Sequence, residues 1–180
     1  MSSEPRIAHL NLAREFRGGE RQTLALIRAL DGRVRQTAIV HRAAPLADQL
    51  SGLDVRIEAV GGSPLAAVAG TRGFDLLHVH EGRSPQTAAL RWLLSRTPFI
   101  VTRRIPQAPS VTALWCYRRA RRIVAVSDAI AETLRSCDSR LSLSTVHDCT
   151  PELEADPAAV AGIRGTAQLV IGQCGALHDA

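Results

Sequence analysis

Two adjacent glycines, Gly18 and Gly19, separate the first apolar segment of the chain from the first segment with helical spacing. In open parallel sheets, ligands bind beyond the carboxyl ends of the strands, and glycines at such a position let backbone N–H groups approach a phosphate. The sequence around them is not G-x-G-x-x-G, so it does not predict an ordinary nicotinamide-dinucleotide site. A flexible turn explains the pair equally well.

Two histidines, His78 and His80, lie near the end of a predicted strand over 75–80. Alternate residues of a strand face the same side, so both rings are expected on one face. His80 lies at the carboxyl end, where chemistry is expected, whereas His78 lies deeper and is better explained as a hydrogen-bonded core residue. Two histidines at this spacing suit zinc, but the sequence offers no obvious third ligand, so we expect no metal.

Two further strand ends carry polar groups. Arg103 and Arg104 follow a predicted strand over 98–102, and their guanidinium groups suit anion binding, with a solvated loop as the alternative. Ser127 follows a strand over 122–126 and has the position of a helix N-cap, whatever else it does.

The basic residues of this chain are all arginines, and the formal net charge is +5. This charge suits an anionic partner, namely a nucleotide, a nucleic acid or an anionic membrane surface. Around one helix end, Arg118, Arg119, Arg121 and Arg122 form a cluster that is either a solvated face or a surface for membrane or acceptor. No aromatic stacking pattern accompanies these arginines, which disfavours nucleic acid.

The composition predicts one folded domain. The chain has 180 residues, of which 46% are hydrophobic and 3% aromatic, so the core must be aliphatic. No apolar run approaches the roughly 20 residues of a membrane span, and the first residues do not resemble a secretory signal, so we expect a cytoplasmic location. The four cysteines fit no zinc spacing and are expected to be free thiols.

Strands alternate with helices along the chain. This alternation predicts an α/β domain with a mostly parallel sheet and right-handed crossovers. Apolar runs such as 76–79 and 123–126 are typical of a sheet covered on both faces. The predicted strands are 6–12, 37–41, 55–60, 75–80, 98–102, 122–126 and 141–146, and the main predicted helices are 23–30, 45–50, 85–95, 111–120 and 128–136.

The last thirty residues break this pattern. An acidic, proline-containing stretch over 150–157 is typical of a linker, and a short helix is predicted over 158–163. A new strand over 168–175 then ends in glycine, five residues before the last residue, Ala180. A strand that opens a domain and then stops indicates a truncated chain.

Five stretches, in this order and spacing, resemble the family-4 group of GT-B glycosyltransferases. The resemblance covers nearly the whole chain, and it implies a Rossmann-like three-layer domain that is the N-terminal half of a GT-B fold. It divides the chain into an acceptor-side domain (1–150), an interdomain linker (151–167) and the first strand of a truncated donor-binding domain (168–180). The matching stretches are 18–21, 75–81, 97–102, 122–130 and 169–177.

The resemblance also implies roles for the residues singled out above. Gly18 and Gly19 would offer N–H groups to the donor diphosphate, and His80 would contact the donor sugar or the reacting centre. The acceptor side would include Glu81, which would also orient its loop, together with Arg103, Arg104 and Ser127. Enzymes of this family usually retain the anomeric configuration and use no metal, so we expect no cofactor.

Two departures from the family pattern concern the end of the chain. Residues 147–150 read His-Asp-Cys-Thr where family members often have Asn-Gly-Val-Asp, which makes the hinge atypical. The family binds its donor with an E-x7-E motif in the second domain, and no such segment can be placed before Ala180. We therefore expect this chain to be inactive by itself.

The predicted function is transfer of a sugar from a nucleotide diphosphate-sugar to a hydroxyl acceptor, with a cell-envelope glycan or glycolipid as the expected acceptor. The basic surface adds peripheral contact with the inner face of an anionic membrane, and no nucleic-acid partner is expected. One alternative is a non-catalytic Rossmann-like module that binds a phosphorylated ligand or a partner protein. Another is a GT-B-like enzyme such as a sugar-nucleotide epimerase.

Overall fold

The computed structural model describes residues 4–61, 63–148, 156–166 and 168. The strands are β1 (Arg6–Asn11), β2 (Arg35–His41), β3 (Arg56–Val60), β4 (Leu76–Val79), β5 (Phe99–Arg103), β6 (Arg122–Ala125) and β7 (Leu143–Thr145). The helices are α1 (Gly18–Ala29), α2 (Leu46–Gln49), α3 (Pro64–Gly70), α4 (Pro85–Ser95), α5 (Val111–Tyr117), α6 (Asp128–Cys137) and α7 (Pro157–Arg164).

The seven strands form one sheet in the order β3-β2-β1-β4-β5-β6-β7. Every neighbouring pair is parallel, which confirms the predicted α/β, Rossmann-like class. After β1 the chain proceeds towards one edge of the sheet, and from β4 onward it proceeds towards the other. The order therefore reverses between β1 and β4, and in open parallel sheets a ligand crevice forms at the carboxyl ends next to such a point.

Helices pack on both faces of the sheet and bury different sets of apolar residues. The larger core includes Leu10, Leu77, Phe99 and Ile123, which strands β1, β4, β5 and β6 contribute, together with small residues of the α4 and α5 helices. The smaller core lies where α1 and α2 cover β2, and its members are Leu24, Ile27, Ala38, Val40, Leu46 and Leu50. Both faces are thus partly apolar, as the continuous hydrophobic strand runs predicted.

The α1-covered face is polar near the point where the strand order reverses. His9 of β1 lies beside His78 of β4 in the parallel register, and their side chains share this face. Buried Asn11 and His80 extend the polar group towards the carboxyl edge. Buried polar groups need hydrogen-bond partners, so this part of the sheet depends on a side-chain network rather than on apolar packing.

Helix α1 begins at Gly18, five residues earlier than the pattern predicts. The backbone of Arg17 is extended, and its N–H donates to the Glu20 carboxylate at 2.9 Å, so Glu20 stabilises the start of the helix. Gly18 and Gly19 therefore form the first helical turn instead of the predicted loop. Apolar spacing missed this turn because its residues are glycine, glutamate and arginine rather than apolar ones.

Serine residues precede two later helices, and Ser127 is the predicted N-cap. Ser127 accepts a hydrogen bond from the Ile130 N–H at 3.3 Å, which confirms it as the N-cap of α6. Ser84 precedes α4 and Pro85 occupies its first turn, but the Ser84 side chain makes no capping bond. Its hydroxyl donates to the Glu81 carboxylate.

Helix α7 belongs to a second compact unit, which begins after residue 149. It starts at Pro157, with Asp156 accepting from the Ala158 N–H at 2.9 Å. The strand predicted over 168–175 lies outside the described residues, apart from Gln168. Within the described ranges, no helix combines the length and apolarity needed to cross a membrane.

Candidate active site

A cavity of about 210 Å³ opens at the carboxyl edge of the sheet, beside the point where the strand order reverses. Of the residues predicted to form a site, the structure brings five together here. Gly18 is next to one of them in the first turn of α1, whereas Ser127 lies outside the cavity at the end of β6. The lining residues are Gly19, Glu20, His80, Glu81, Gly82, Thr102, Arg103, Arg104, Ile105 and Tyr117.

The N-terminus of α1 forms one side of the cavity. The first N–H groups of a helix have no intrahelical partners and carry partial positive charge, which favours an anion. A Cβ atom on Gly18 would meet nothing within 4 Å, and one on Gly19 would meet only Arg104 Cδ, at 3.8 Å. Protein packing therefore does not require glycine at position 18, and the space beside it is open to a ligand.

Three buried histidines lie together next to the cavity. His9 Nδ1 is 3.1 Å from His80 Nε2, and the ring centroids of His78 and His80 are 3.9 Å apart. Sequence reasoning found His78 and His80 but missed His9. The available signal was that His9 lies in the middle of the first predicted strand. In this strand order β1 is adjacent to β4, which places His9 beside His78.

Hydrogen-bond partners outside the cluster fix the rings of His9 and His78. The Gln36 amide donates to the Ile27 carbonyl at 3.0 Å, so the Gln36 oxygen faces His9 Nε2, at 3.1 Å. His78 Nε2 lies 2.8 Å from the Thr102 hydroxyl.

Within the described part of the chain, His80 has no comparable partner on the ring nitrogen that does not contact His9. Among the residues that the structure describes, the buried Nδ1 of His80 has no hydrogen-bond partner.

Burial sets the charge state of this cluster. Desolvation lowers the pKa of His9 to about 4, although its hydrogen bond to Gln36 acts in the opposite direction. Desolvation also lowers the pKa of His78 to about 3, with the nearby charges of His9 and Arg104 adding to the effect. The pKa of His80 is well below its ordinary value, first because of burial and then because of its charged neighbours. All three rings are therefore neutral near pH 7.

Arg103 positions the loop that follows β5. Its guanidinium donates to the carbonyls of Gln107 at 2.6 Å and Ile105 at 3.1 Å, and to the Tyr117 hydroxyl at 3.4 Å. The side chain is buried, and three of its nitrogens are used in these contacts. Arg103 therefore shapes one wall of the cavity by holding Ile105 and Tyr117 in place.

Arg104 crosses the carboxyl edge and connects β4 with the end of the described domain. Its Nη1 donates to the His80 carbonyl at 3.2 Å, while Nε and Nη2 bind the two Asp148 carboxylate oxygens at 2.9 and 3.3 Å. This is a bidentate pair, with 18% of the Arg104 side chain and 32% of the Asp148 side chain exposed. The guanidinium that could meet a ligand anion is thus neutralised by a carboxylate.

Glu81 organises the loop between β4 and α4. Its carboxylate accepts from the N–H groups of Ser84 at 2.8 Å and Leu12 at 3.4 Å, and from the N–H of Arg83. The Ser84 hydroxyl also donates to it. These contacts tie the loop to the end of β1, so Glu81 holds two sides of the cavity in a fixed relation.

The basic cluster around α5 does not line the cavity. Arg118 pairs with Asp138 at 2.6 Å, and the Arg119 guanidinium lies 3.5 Å from the Trp115 ring centroid. Arg122 is the first residue of β6, so it lies at the amino edge of the sheet, opposite the cavity. An acceptor held in the cavity would therefore not reach this cluster.

Comparison with known proteins identifies a structural likeness only. No protein-family model matches the sequence, and no curated protein matches it. The fold is similar to that of HepE (Alr3699) from Anabaena solved with UDP and glucose, with a TM-score of 0.71 and 13% identity over 90% of this chain. HepE solved with UDP-glucose gives the same TM-score at 14% identity. The chain spans about half the length of HepE, 50% and 49% in these two structures.

Proposed function

We propose that this chain is the acceptor-side domain of a GT-B glycosyltransferase, which transfers a sugar from a nucleotide diphosphate-sugar to a hydroxyl group. The observation that carries the proposal is the cavity at the carboxyl edge, where the first turn of α1 lies beside His80 and Arg104. A helix N-terminus suits a diphosphate. The likeness to HepE solved with UDP-glucose supports a nucleotide-sugar as the ligand.

The chemistry assigned to this half is stabilisation of the leaving group. As the bond between sugar and diphosphate breaks, negative charge grows on the phosphate oxygens. N–H groups of Gly18 and Gly19 at the start of α1 provide a fixed positive end for that charge, and they need no rearrangement during the reaction. The open space beside Gly18 allows the diphosphate to approach the backbone.

His80 and the residues around it form the sugar and acceptor side of the site. His80 lines the cavity with a neutral ring, so its contact with the donor sugar or the reacting centre does not involve a charge. Arg104 and Glu81 face the acceptor, and Arg103 supports this wall through the loop after β5. Ser127 contributes from the end of β6, further along the same edge.

We further propose how the chain is divided into domains, together with the stereochemistry and the acceptor of the reaction. Residues 1–150 form the acceptor-side domain, 151–167 connect it to the next, and 168–180 begin the donor-binding domain that holds the nucleotide. The reaction retains the anomeric configuration, and the acceptor is a cell-envelope glycan or glycolipid at the inner face of the membrane.

The test is sugar transfer by the protein expressed from its complete gene. We expect transfer from UDP-glucose or another nucleotide-sugar to a hydroxyl acceptor, with the product anomer determined by NMR. His80→Ala is expected to lower kcat at least about a hundredfold, the range of a positioned proton-transfer or hydrogen-bonding group. The exposed Arg33→Ala, which lies before β2 and away from the cavity, is the control and should keep full activity.

Two results would contradict the proposal. The first is the absence of transfer from every nucleotide-sugar while a phosphorylated ligand still binds, which favours the non-catalytic module. The second is unchanged kcat in His80→Ala.

A further inference from the structure

We propose that His9, His78 and His80 bind one divalent transition-metal ion, with Zn²⁺ as the best match. All three are buried, and one ligand nitrogen from each lies within 4.8 Å of the others. Imidazole nitrogen is a preferred ligand for zinc, and three protein ligands with one open position are typical of zinc sites that also bind water or a substrate. The inference does not depend on sugar transfer.

The parallel register brings these ligands together. His9 and His78 are direct neighbours on β1 and β4, and His80 follows two residues later on the same face. The His80 N–H donates to the Leu10 carbonyl at 3.0 Å, which holds the end of β4 against β1. Two rigid strands therefore supply all three rings, and little backbone movement is needed to form the site.

The hydrogen bonds around the cluster resemble those that usually surround metal-binding histidines. Such a histidine usually donates its outer N–H to an oxygen, which leaves the inner nitrogen free for the metal. The Gln36 oxygen faces His9 Nε2 and is held there by the bond from Gln36 to Ile27. The Thr102 hydroxyl faces His78 Nε2 at 2.8 Å. His9 Nδ1 is then the nitrogen that carries the free electron pair.

The distances are close to those of an occupied site. Two nitrogens bound to tetrahedral zinc at about 2.0–2.1 Å lie roughly 3.3–3.4 Å apart. His9 Nδ1 and His80 Nε2 are 3.1 Å apart. One ligand nitrogen from each of the three rings lies within 4.8 Å of the others.

His80 provides the second, independent observation. Its Nδ1 is fully buried and has no partner among the described residues, so the hydrogen bonds to protein atoms leave this ring incomplete. His80 also lines the cavity, which gives an ion a route to the site and leaves the fourth position towards solvent.

The charge balance decides what occupies that fourth position. The three rings are neutral, and the nearest cation, the Arg104 guanidinium, donates to the His80 carbonyl at 3.2 Å. A dication next to this arginine needs an anionic or polarised oxygen ligand, so we expect water or hydroxide as the fourth ligand.

Cobalt titration of the metal-free chain tests the proposal. After treatment with EDTA and its removal, addition of Co²⁺ should produce the visible absorption of a tetrahedral site, saturating at one ion per chain and disappearing on addition of Zn²⁺. His9→Gln should abolish this spectrum, whereas the exposed His147→Gln should leave it intact. Thr102→Val, which keeps the shape but removes the outer oxygen, should weaken zinc binding about 10- to 100-fold.

Circular dichroism confirms that each variant is folded before its titration. If His9→Gln does not fold, Thr102→Val still tests the proposal. No saturable cobalt spectrum in the wild-type chain would overturn the proposal. Equal affinity in wild type, Thr102→Val and His147→Gln would also overturn it, because the ion would then bind elsewhere.

Discussion

The buried ring of His80 has one nitrogen in contact with His9 and the other without a partner among the described residues. The ring lies next to the first turn of α1 and below Arg104, whose guanidinium donates to the His80 carbonyl. The two ligands proposed above meet at this residue: an anion at the helix N-terminus and a metal ion within the histidine cluster. Metal binding depends on the rings being neutral, which burial ensures.

The histidine cluster predicts loss of stability in acid. In the unfolded chain the histidines protonate below about pH 6.5, whereas in the folded chain the pKa is about 4 for His9 and about 3 for His78. The unfolded state therefore binds more protons as the pH falls, and the free energy of unfolding decreases. We expect a loss of roughly 2 kcal/mol per histidine between pH 7 and pH 5, measured by urea unfolding with EDTA present.

His9→Gln should make this pH dependence less steep, because one buried imidazole is removed. His147→Gln removes an exposed imidazole and should leave it unchanged. Equal pH dependence in His9→Gln and wild type would show that the cluster does not control acid stability.

Asp148 is expected to compete with anionic ligands for Arg104. Both carboxylate oxygens bind the guanidinium, at 2.9 and 3.3 Å, and occupy the donors that an anion would need. Asp148→Asn should raise the affinity for inorganic pyrophosphate roughly threefold to tenfold, consistent with the modest strength of a partly exposed ion pair. Calorimetric titration measures the change. Asp31→Asn removes the same charge near the opposite edge and should have no such effect.

At the scale of elements, the site depends on where helices and loops begin. Helix α1 starts at Gly18 because Glu20 accepts the Arg17 N–H, and this start directs the helix N-terminus to the cavity. The loop after β5 is held by Arg103, and the loop after β4 is held by Glu81. Polar side chains thus fix these segments, where apolar contacts are few.

A substitution in the first turn of α1 is expected to affect stability and ligand binding differently. Because a Cβ atom at position 18 meets no atom within 4 Å, Gly18→Ala should leave stability unchanged or raise it by up to about 1 kcal/mol. The same methyl group would occupy the space proposed for the diphosphate, so affinity for UDP-glucose in the complete protein should fall. Urea unfolding and calorimetry measure the two effects. A variant that binds UDP-glucose as tightly as wild type would contradict the diphosphate assignment.

The two adjacent arginines at the end of β5 are expected to differ in their contribution to stability. Arg103→Met removes buried hydrogen bonds to two carbonyls and a hydroxyl, and should lower the free energy of unfolding by about 2 kcal/mol. Arg104→Met removes a partly exposed ion pair and should cost about 1 kcal/mol or less. Chemical unfolding of both variants measures the difference, and equal losses would argue against a structural role for Arg103.

For the whole molecule, the parallel sheet places two possible binding functions at opposite edges. The carboxyl edge holds the cavity, and the amino edge holds Arg121 and Arg122, where β6 begins. Trp115 is 38% exposed nearby on α5, with Arg119 stacked on its ring. An arginine-rich surface with an exposed tryptophan suits an anionic membrane, and contact there would leave the cavity open.

This surface predicts salt-dependent binding to vesicles that contain anionic lipid. The double variant Arg121→Gln/Arg122→Gln should bind less in a sedimentation assay, because each basic residue near the surface contributes about 1 kcal/mol. Arg14→Gln/Arg42→Gln removes the same charge from exposed positions at the carboxyl edge and should bind like wild type. Absent or salt-insensitive binding by the wild-type chain would rule out this membrane contact.

The sequence by itself determined the alternation of strands and helices, and with it the parallel α/β class, because apolar runs and turn residues act locally. It also placed Gly19, His80, Arg103 and Arg104 near the carboxyl ends of predicted strands, which lie at one edge of a parallel sheet, and all four line the cavity there. Ser127 was assigned correctly as an N-cap for the same local reason.

Only the tertiary structure decided the partners of these residues. His9 joins His78 because β1 and β4 are adjacent, although 69 residues separate the two in the chain. Arg104 pairs with Asp148 across 44 positions, and Gln36 fixes His9 from a third strand. Strand order and register are set by the packing of the whole sheet, so contacts between distant residues cannot be read from local spacing.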